Sequence, residues 1–469
     1  MDGDDRISFL PEDIKLSILS RLVIKEAVRT SALARSWRYT WTRLPSLCLG
    51  RYLDRLGDTS EDFDFRPVSS TWIQRVNHLV SSLQGPFLLF QLSLLLNKNI
   101  VPSNRPQRLL DLLFQKGGVQ TLHLCCEYSN TMTEPDQPAP FFMNIPLPVP
   151  VPYRFDSYHH SHKVKLRLPP FHSLKVLLLE GCQLVLPDQF RGLHSLTALS
   201  LSDVIISHHH LHLLLDTSKN LTTFKFVAQD LDLVPHLSLN ISLPLLTNVE
   251  FVITEMVDKI CLVSTPRLEQ AYISVGGFES KKLAWVTLGL LNGVSMVSSL
   301  SLDSHVLETL SLLALPISFS FPQLKSLVLP LHVDTLDKRT CDVFHWLLKS
   351  IPFLEELHLK VLSFSEQTEG VATQMRELLV KKQNGISCLN QTLKRVTISM
   401  YVLRKVMAGI TVVKFFLLNA KVLKLMKILY PDNNDELSMI EELKKVEVAS
   451  SDAKVVMYNT TTEVTVNVK

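Results

Sequence analysis

The sequence predicts an α/β chain in three parts. A short helical module comes first, then a solenoid built on a curved parallel sheet, then a mixed α+β end segment. Three observations predict this. Apolar residues recur at helical spacing between Asp5 and Pro45. The unit L-x-x-L-x-L, first met at Val119, returns at near-constant intervals from Leu174 to Leu359. Beyond Ile386 the pattern changes to a strand, a long apolar helix, a charged helix and a β-rich tail. The boundaries read as 1–50 for the module, 51–115 for a linker and the solenoid start, 116–385 for the repeats with a proline-rich insert at 127–163, and 386–469 for the end segment.

The first helix follows Leu10-Pro11, with Ile14, Ile18, Leu19 and Leu22 on one face. Pro11 suits a first turn, where its missing N–H costs nothing. Glu12 and Asp13 place negative charge at the positive end of that helix. A second helix is expected over Lys25–Ala34, with Val28 and Leu33 inward. A third carries Trp37 and Trp41, four apart, and Leu44-Pro45 ends it. So small a unit is marginal alone and leans on a partner.

The polar, acidic stretch Arg51–Arg66 reads as a linker. Ser70–Ser82 reads as an amphipathic helix, Phe87–Leu95 as a strand, and Arg105–Gly117 as a helix closed by a glycine pair. The repeat then occurs at Val119-Leu122-Leu124, Leu174-Leu177-Leu179, Leu196-Leu199-Leu201, Leu221-Phe224-Phe226, Leu246-Val249-Phe251, Leu268-Ala271-Ile273, Val297-Leu300-Leu302, Leu324-Leu327-Leu329 and Leu354-Leu357-Leu359. From the second copy onward the steps are 22, 25, 25, 22, 29, 27 and 30 residues, which fits leucine-rich repeats of about 20–29 residues. The insert holds seven prolines from Pro135 to Pro152, favours extended backbone and reads as a surface loop. Val164–Pro169 reads as a strand re-entering the sheet. The end segment reads as a strand over Leu393–Ile398, a helix over Gly409–Met426, a helix over Glu436–Lys445 and a strand over Glu463–Val468.

Within the repeats, the non-Leu positions face the inside of the curve. They include Lys175, Thr197, Thr223, Lys225, Lys325, Glu355 and His358. The mix of polar residues and both charge signs suits a protein or peptide ligand.

The N-terminal residues resemble an F-box of the plant type found ahead of leucine-rich repeats. Asp5-Arg6-Ile7-Ser8, Leu10-Pro11, Ile18-Leu19-Ser20, Leu22, Ala27-Val28, Thr30-Ser31, Leu33, Trp37-Arg38, Trp41 and Leu44-Pro45 fall in the family's order and spacing. Departures are Lys15 where a leucine is usual, Asp13-Ile14 for Glu-Ile, and Ala34-Arg35-Ser36 for Ser-Lys-Arg. The end segment resembles the FBD domain of the same family, through Cys388-Leu389, Leu393-Lys394, Val396, Val413-Lys414-Phe415, Leu417-Leu418-Asn419-Ala420, Val422-Leu423 and Met426. It departs at Tyr401 and over Val402–Met407.

An F-box implies docking to a Skp-type adaptor and, through it, to a cullin–RING ubiquitin ligase. The expected adaptor-binding residues are Leu10, Pro11, Ile14, Ile18, Leu22, Val28, Leu33, Trp37, Trp41 and Leu44, with Leu10 and Trp37 the strongest contributors. The implied function is recruitment of a target protein for ubiquitination. A non-ligase scaffold and a small-ligand receptor using the inner repeat face are the alternatives.

Composition bounds the rest. Apolar content is 46% and charge 20%, which excludes a disordered chain. Lys and Arg number 48 against 45 Asp and Glu, a balance that argues against a nucleic-acid or membrane partner. Seven scattered cysteines without a CxxC read as reduced thiols in an intracellular protein of cytoplasm or nucleus. The acidic start MDGDD lacks the pattern of a signal peptide. His208-His209-His210 with His212, and His159-His160 with His162, lack Cys or carboxylate partners at ligand spacing. Gly276-Gly277 reads as a turn and Cys125-Cys126 as core. No metal, cofactor or catalytic residue is expected.

Overall fold

The structure, a computed structural model, describes residues 7–49, 70–84, 88–97, 105–129, 163–228, 237–254, 257–276, 280–303, 305–315, 319–332, 337–362, 386–401, 407–430, 436–459 and 463–466. The expected linker Arg51–Arg66, the prolines of the insert, His159–His162, Gly277 and 402–406 lie outside these residues. Two units divide the chain, one holding residues 1–235 and 242–246, the other 236–241 and 247–469.

The first unit opens with α1 (Glu12–Leu19) and α2 (Ile24–Arg29), then single 3-10 turns at Thr30–Ala32, Arg35–Trp37 and Thr40–Arg43. The expected third helix is thus two separate turns. The Thr40 hydroxyl donates to the Ser36 carbonyl at 3.2 Å and the Thr42 hydroxyl to the Tyr39 carbonyl at 2.6 Å. Such side-chain bonds compete with a continuous helix. The second helix is likewise shorter than its expected span, ending at Arg29.

There follow β1 (Ser46–Leu49), α3 (Ser70–Ser82), β2 (Leu89–Asn97), α4 (Arg105–Lys116), β3 (Thr121–Ser129), β4 (Val164–Arg167), β5 (Val176–Glu180), β6 (Cys182–Val185), β7 (Ala198–Ser202), β8 (Ile205–Ile206), α5 (His208–Thr217) and β9 (Thr223–Val227). The strands β1, β2, β3, β5, β7 and β9 pair in parallel, each with the next. Repeat residues meet in register: Leu47, Phe90, Leu122, Leu177, Leu199 and Phe224 form one buried row. β4 does not re-enter this ladder. It pairs with β6, and β6 with β8, in a separate small sheet, because β5 already occupies the place beside β3.

Gly181 makes the corner between β5 and β6. Its φ is +66°, and a Cβ there would meet the Cys126 carbonyl oxygen at 2.0 Å. Only glycine satisfies both demands. One rung on, Asp203 holds φ +53° while Lys163, its side chain sealed from solvent, bonds the Asp203 carboxylate at 2.5 Å and carbonyl at 2.9 Å.

The second unit contains β10 (Leu237–Ser242), β11 (Asn248–Ile253), β12 (Val257–Ser264), β13 (Gln270–Val275), α6 (Lys281–Gly293), β14 (Ser299–Leu302), α7 (His305–Leu310), β15 (Ser326–His332), α8 (Lys338–Lys349), β16 (Glu356–Leu362), α9 (Ser387–Gln391), β17 (Arg395–Tyr401), α10 (Met407–Asn419), β18 (Leu425–Leu429), α11 (Glu436–Lys444), β19 (Lys454–Tyr458) and β20 (Glu463–Val466). Here β11, β13, β14, β15, β16, β17, β18 and β19 pair in parallel, and β20 turns back antiparallel on β19. Val249, Ala271, Leu300, Leu327, Leu357, Val396, Met426 and Val455 align in one buried row. The end segment therefore continues the rungs of the repeats, with β17 to β19 in the same register.

The helix expected over Gly409–Met426 stops at Asn419, and Leu425–Leu429 is a strand. The Asn419 amide donates back to the Phe415 carbonyl at 2.7 Å. Three helices begin where a side chain satisfies a first free N–H group: Ser207 for α5, Ser280 for α6 and Asp337 for α8.

Candidate adaptor and target surfaces

The N-terminal module has its own core. Leu19, Ala27, Trp37 and Leu44 are buried together, with Leu10, Leu16, Ile24, Ala34 and Trp41 packed against them. Trp37 is 2% exposed and its indole N–H donates to the Ile7 carbonyl at 3.3 Å. Lys15, at the position where the F-box pattern has leucine, is buried as well. Its ammonium donates to the Ser8 carbonyl at 3.0 Å.

The ten residues expected at an adaptor surface thus divide. Trp37 and Leu44 are interior, while Leu10, Val28 and Trp41 are half-buried. The cause is the module's size: large side chains from its short elements converge because nothing else fills its centre. Pro11, Ile14, Ile18, Leu22 and Leu33 are exposed. Ile14 and Ile18, one helical turn apart on α1, are 43% and 40% exposed and form an outward apolar ridge. Phe9, 86% exposed, and Ile7 extend the exposed apolar surface, and sequence reading missed them. Their signal was present: two apolar residues ahead of a helix whose inner face was already filled.

Of the expected target-binding positions, Lys175, Thr197, Thr223 and Lys225 fall in the first unit. The Thr197 hydroxyl is spent on the Lys175 carbonyl at 3.0 Å. Lys325, Glu355 and His358 fall in the second unit, on the face of the ladder opposite its helices. There a hollow of about 270 Å³ opens over β15 to β18, lined among others by Glu356, His358, Arg395, Thr397, Leu425 and Lys427. His358 Nε2 lies 2.8 Å from the Ser399 hydroxyl, and burial, helped by nearby Lys360, lowers its pKa. Lys394 bonds Glu355 at 3.1 Å and holds that carboxyl below its ordinary range. Arg395 pairs with Glu356. Lys424 and Lys427 flank the start of β18, which sequence reading missed because the expected helix ran on to Met426.

The rings of His208 and His212, at the start of α5, lie tilted to one another with centroids 4.5 Å apart. Among the described residues no group of His, Cys, Asp or Glu is arranged to hold a metal ion, and no helix is long and apolar enough to cross a membrane. All seven cysteines are free thiols, and burial pushes that of Cys388 up to about 12.

Comparison with known proteins bears on all three parts. The F-box domain model matches residues 7–49, the model for the leucine-rich repeats of the FBD-associated F-box protein At5g56370 matches 154–359, and the FBD model matches 381–428. Similar Arabidopsis thaliana proteins include F-box/LRR-repeat protein At5g02910, 49% identical over 10% of this chain and 11% of that one. F-box/FBD/LRR-repeat protein At1g51370 is 40% identical over 16% and 18%, and F-box/FBD/LRR-repeat protein At1g13570 is 35% identical over 20% and 21%. These matches span less than a quarter of the relatives' own lengths. An F-box match leads, repeats of the FBD-associated kind follow and an FBD match comes after them, so all three parts of the chain are similar to plant F-box/FBD/leucine-rich-repeat proteins.

Proposed function

We propose that this protein is the target-recruiting subunit of a Skp–cullin–F-box ubiquitin ligase. It supplies proximity, holding a bound protein where its lysines reach the transfer site, and no catalytic group of its own. The observation that carries this reading is the ridge of Ile14 and Ile18, with Phe9, Leu22 and Leu33, left open on a module whose core is already complete. Each such side chain is worth about 1.5–3 kcal/mol when buried against a partner, before association costs are subtracted. Trp37, Leu44 and Leu10 contribute indirectly, by fixing the ridge that they support. The ladder behind the module offers its open face to the target.

Co-purification with a Skp-type adaptor tests the first half. The wild-type chain retains the adaptor, and an Ile14→Asp, Ile18→Asp variant loses it. Full retention by that variant, in a folded state, overturns the proposal. Reconstitution with a cullin then separates a ligase subunit from a scaffold that binds the adaptor without ubiquitin transfer.

A further inference from the structure

Over β15 to β19, on the open face of the second unit, cations outnumber carboxylates. Lys325, Glu355, Lys394, Lys424 and Lys454 stand on successive rungs, each backbone N–H bonding the preceding carbonyl at 2.9–3.0 Å. Arg395 and Lys427 lie on the same face, beside the hollow. The two carboxylates are already engaged, Glu355 by Lys394 and Glu356 by Arg395. Lys325, Lys424, Lys427 and Lys454 make no ion pair with any described residue, and Lys427 lies over the Tyr458 ring at 5.9 Å. A second observation points the same way. Lys360, two positions beyond His358 on the same side of β16, is only 7% exposed. Burial lowers its pKa, and Asp303 only partly offsets this. A buried cation is costly, and a bound anion relieves that cost.

We propose that the face over β16 to β19 binds an extended, Asp- and Glu-rich segment of the recruited protein. This rests on the reading that the ladder holds a target, and it moves the contact from the repeats proper to the end segment. Neighbouring strands lie about 4.8 Å apart, so the cations of three adjacent strands span about 10 Å. That is the reach of about three residues of extended chain, so a run of carboxylates engages several cations at once. The unengaged cations are all lysines, which act as point charges. The forked guanidinium suited to phosphate is present in Arg395 but taken by Glu356. Glu355 and Glu356 within the patch disfavour a continuous nucleic-acid backbone.

Fluorescence anisotropy of the full-length chain with a short labelled Asp/Glu peptide tests this. Its Asn/Gln counterpart, a phosphoserine peptide and a single-stranded oligonucleotide of equal charge are the comparison probes. The acidic peptide binds tightest, and its affinity falls with added salt. Lys424→Glu with Lys427→Glu weakens it by about tenfold or more, and Lys454→Gln weakens it less. Lys338→Glu with Lys349→Glu, on α8, leaves it unchanged. Equal binding of the amide peptide, tighter binding of the phosphopeptide or oligonucleotide, or wild-type affinity in the double variant each overturns the proposal. Adaptor capture is read on the same preparations. Capture without acidic selectivity defeats this inference alone, and selectivity without capture defeats the ligase reading alone.

Discussion

The Lys15 ammonium lies 5.7 Å from the centre of the Trp37 ring, while bonding the Ser8 carbonyl at 3.0 Å. A residue that breaks the family's apolar pattern is therefore a working part of the module's interior. Its stem fills space, and its charge meets a ring face and a carbonyl oxygen. Lys15→Ala removes all three contributions and lowers stability by about 2 kcal/mol. Lys15→Met keeps the stem and costs less. Denaturant unfolding followed by tryptophan fluorescence measures both. An unchanged midpoint for the alanine variant sinks the assignment.

The division of the apolar residues makes opposite predictions for two variants. Trp37→Ala empties the core and costs about 3–5 kcal/mol, so adaptor capture falls because the module unfolds. Ile18→Asp sits on the open ridge and changes stability by less than about 0.5 kcal/mol. It nevertheless weakens adaptor binding by about tenfold or more. Melting curves and binding isotherms on the same samples separate the two causes.

Two glycines with left-handed backbone differ in what surrounds them. Gly117 has φ +72° and open space where a Cβ would sit, whereas Gly181 faces the Cys126 carbonyl at 2.0 Å. Gly117→Ala costs about 1–2 kcal/mol, the conformational penalty alone. Gly181→Ala costs that and a backbone displacement as well. Comparable losses for both in thermal melts would contradict the close approach.

Glu442 links α10 to α11. Hydrogen bonds from Lys414 at 2.7 Å and Lys445 at 2.8 Å hold its carboxyl at about 2, against an ordinary 4.5. A folded-state pKa below the unfolded one stabilises at high pH, and that contribution fades as pH falls through the interval between the two. Glu442→Gln should be less stable than wild type at neutral pH, with the difference closing between about 4.5 and about 2. A gap that persists below this interval would show that the carboxylate charge is not its source.

Some of this was readable from residues and some was not. The rows through Leu177, Leu199 and Phe224, and through Leu300, Leu327 and Leu357, were legible because apolar residues recur at fixed offsets on strands that must pair with their neighbours. The run from Val412 to Met426 was not. α10 buries Val412, Val413, Phe415, Phe416 and Leu417 around most of its circumference, so no period marks where helix gives way to strand. In α1 the rule that apolar means inside failed in both directions. Ile14 and Ile18 point outward and Lys15 inward, because tertiary packing decides which face is covered. That β4 is a strand was visible, whereas its place in a separate sheet depends on β5 already standing beside β3.

β3 pairs directly with β5, and β16 with β17, although residues 130–162 and 363–385 intervene along the chain. Lengthening a connection between rungs costs little, about 0.6 kcal/mol for each doubling, since the entropy of loop closure grows only logarithmically. Descendants of this gene can therefore lengthen, trim or rewrite the sequence between those rungs while the rungs themselves go on meeting in register.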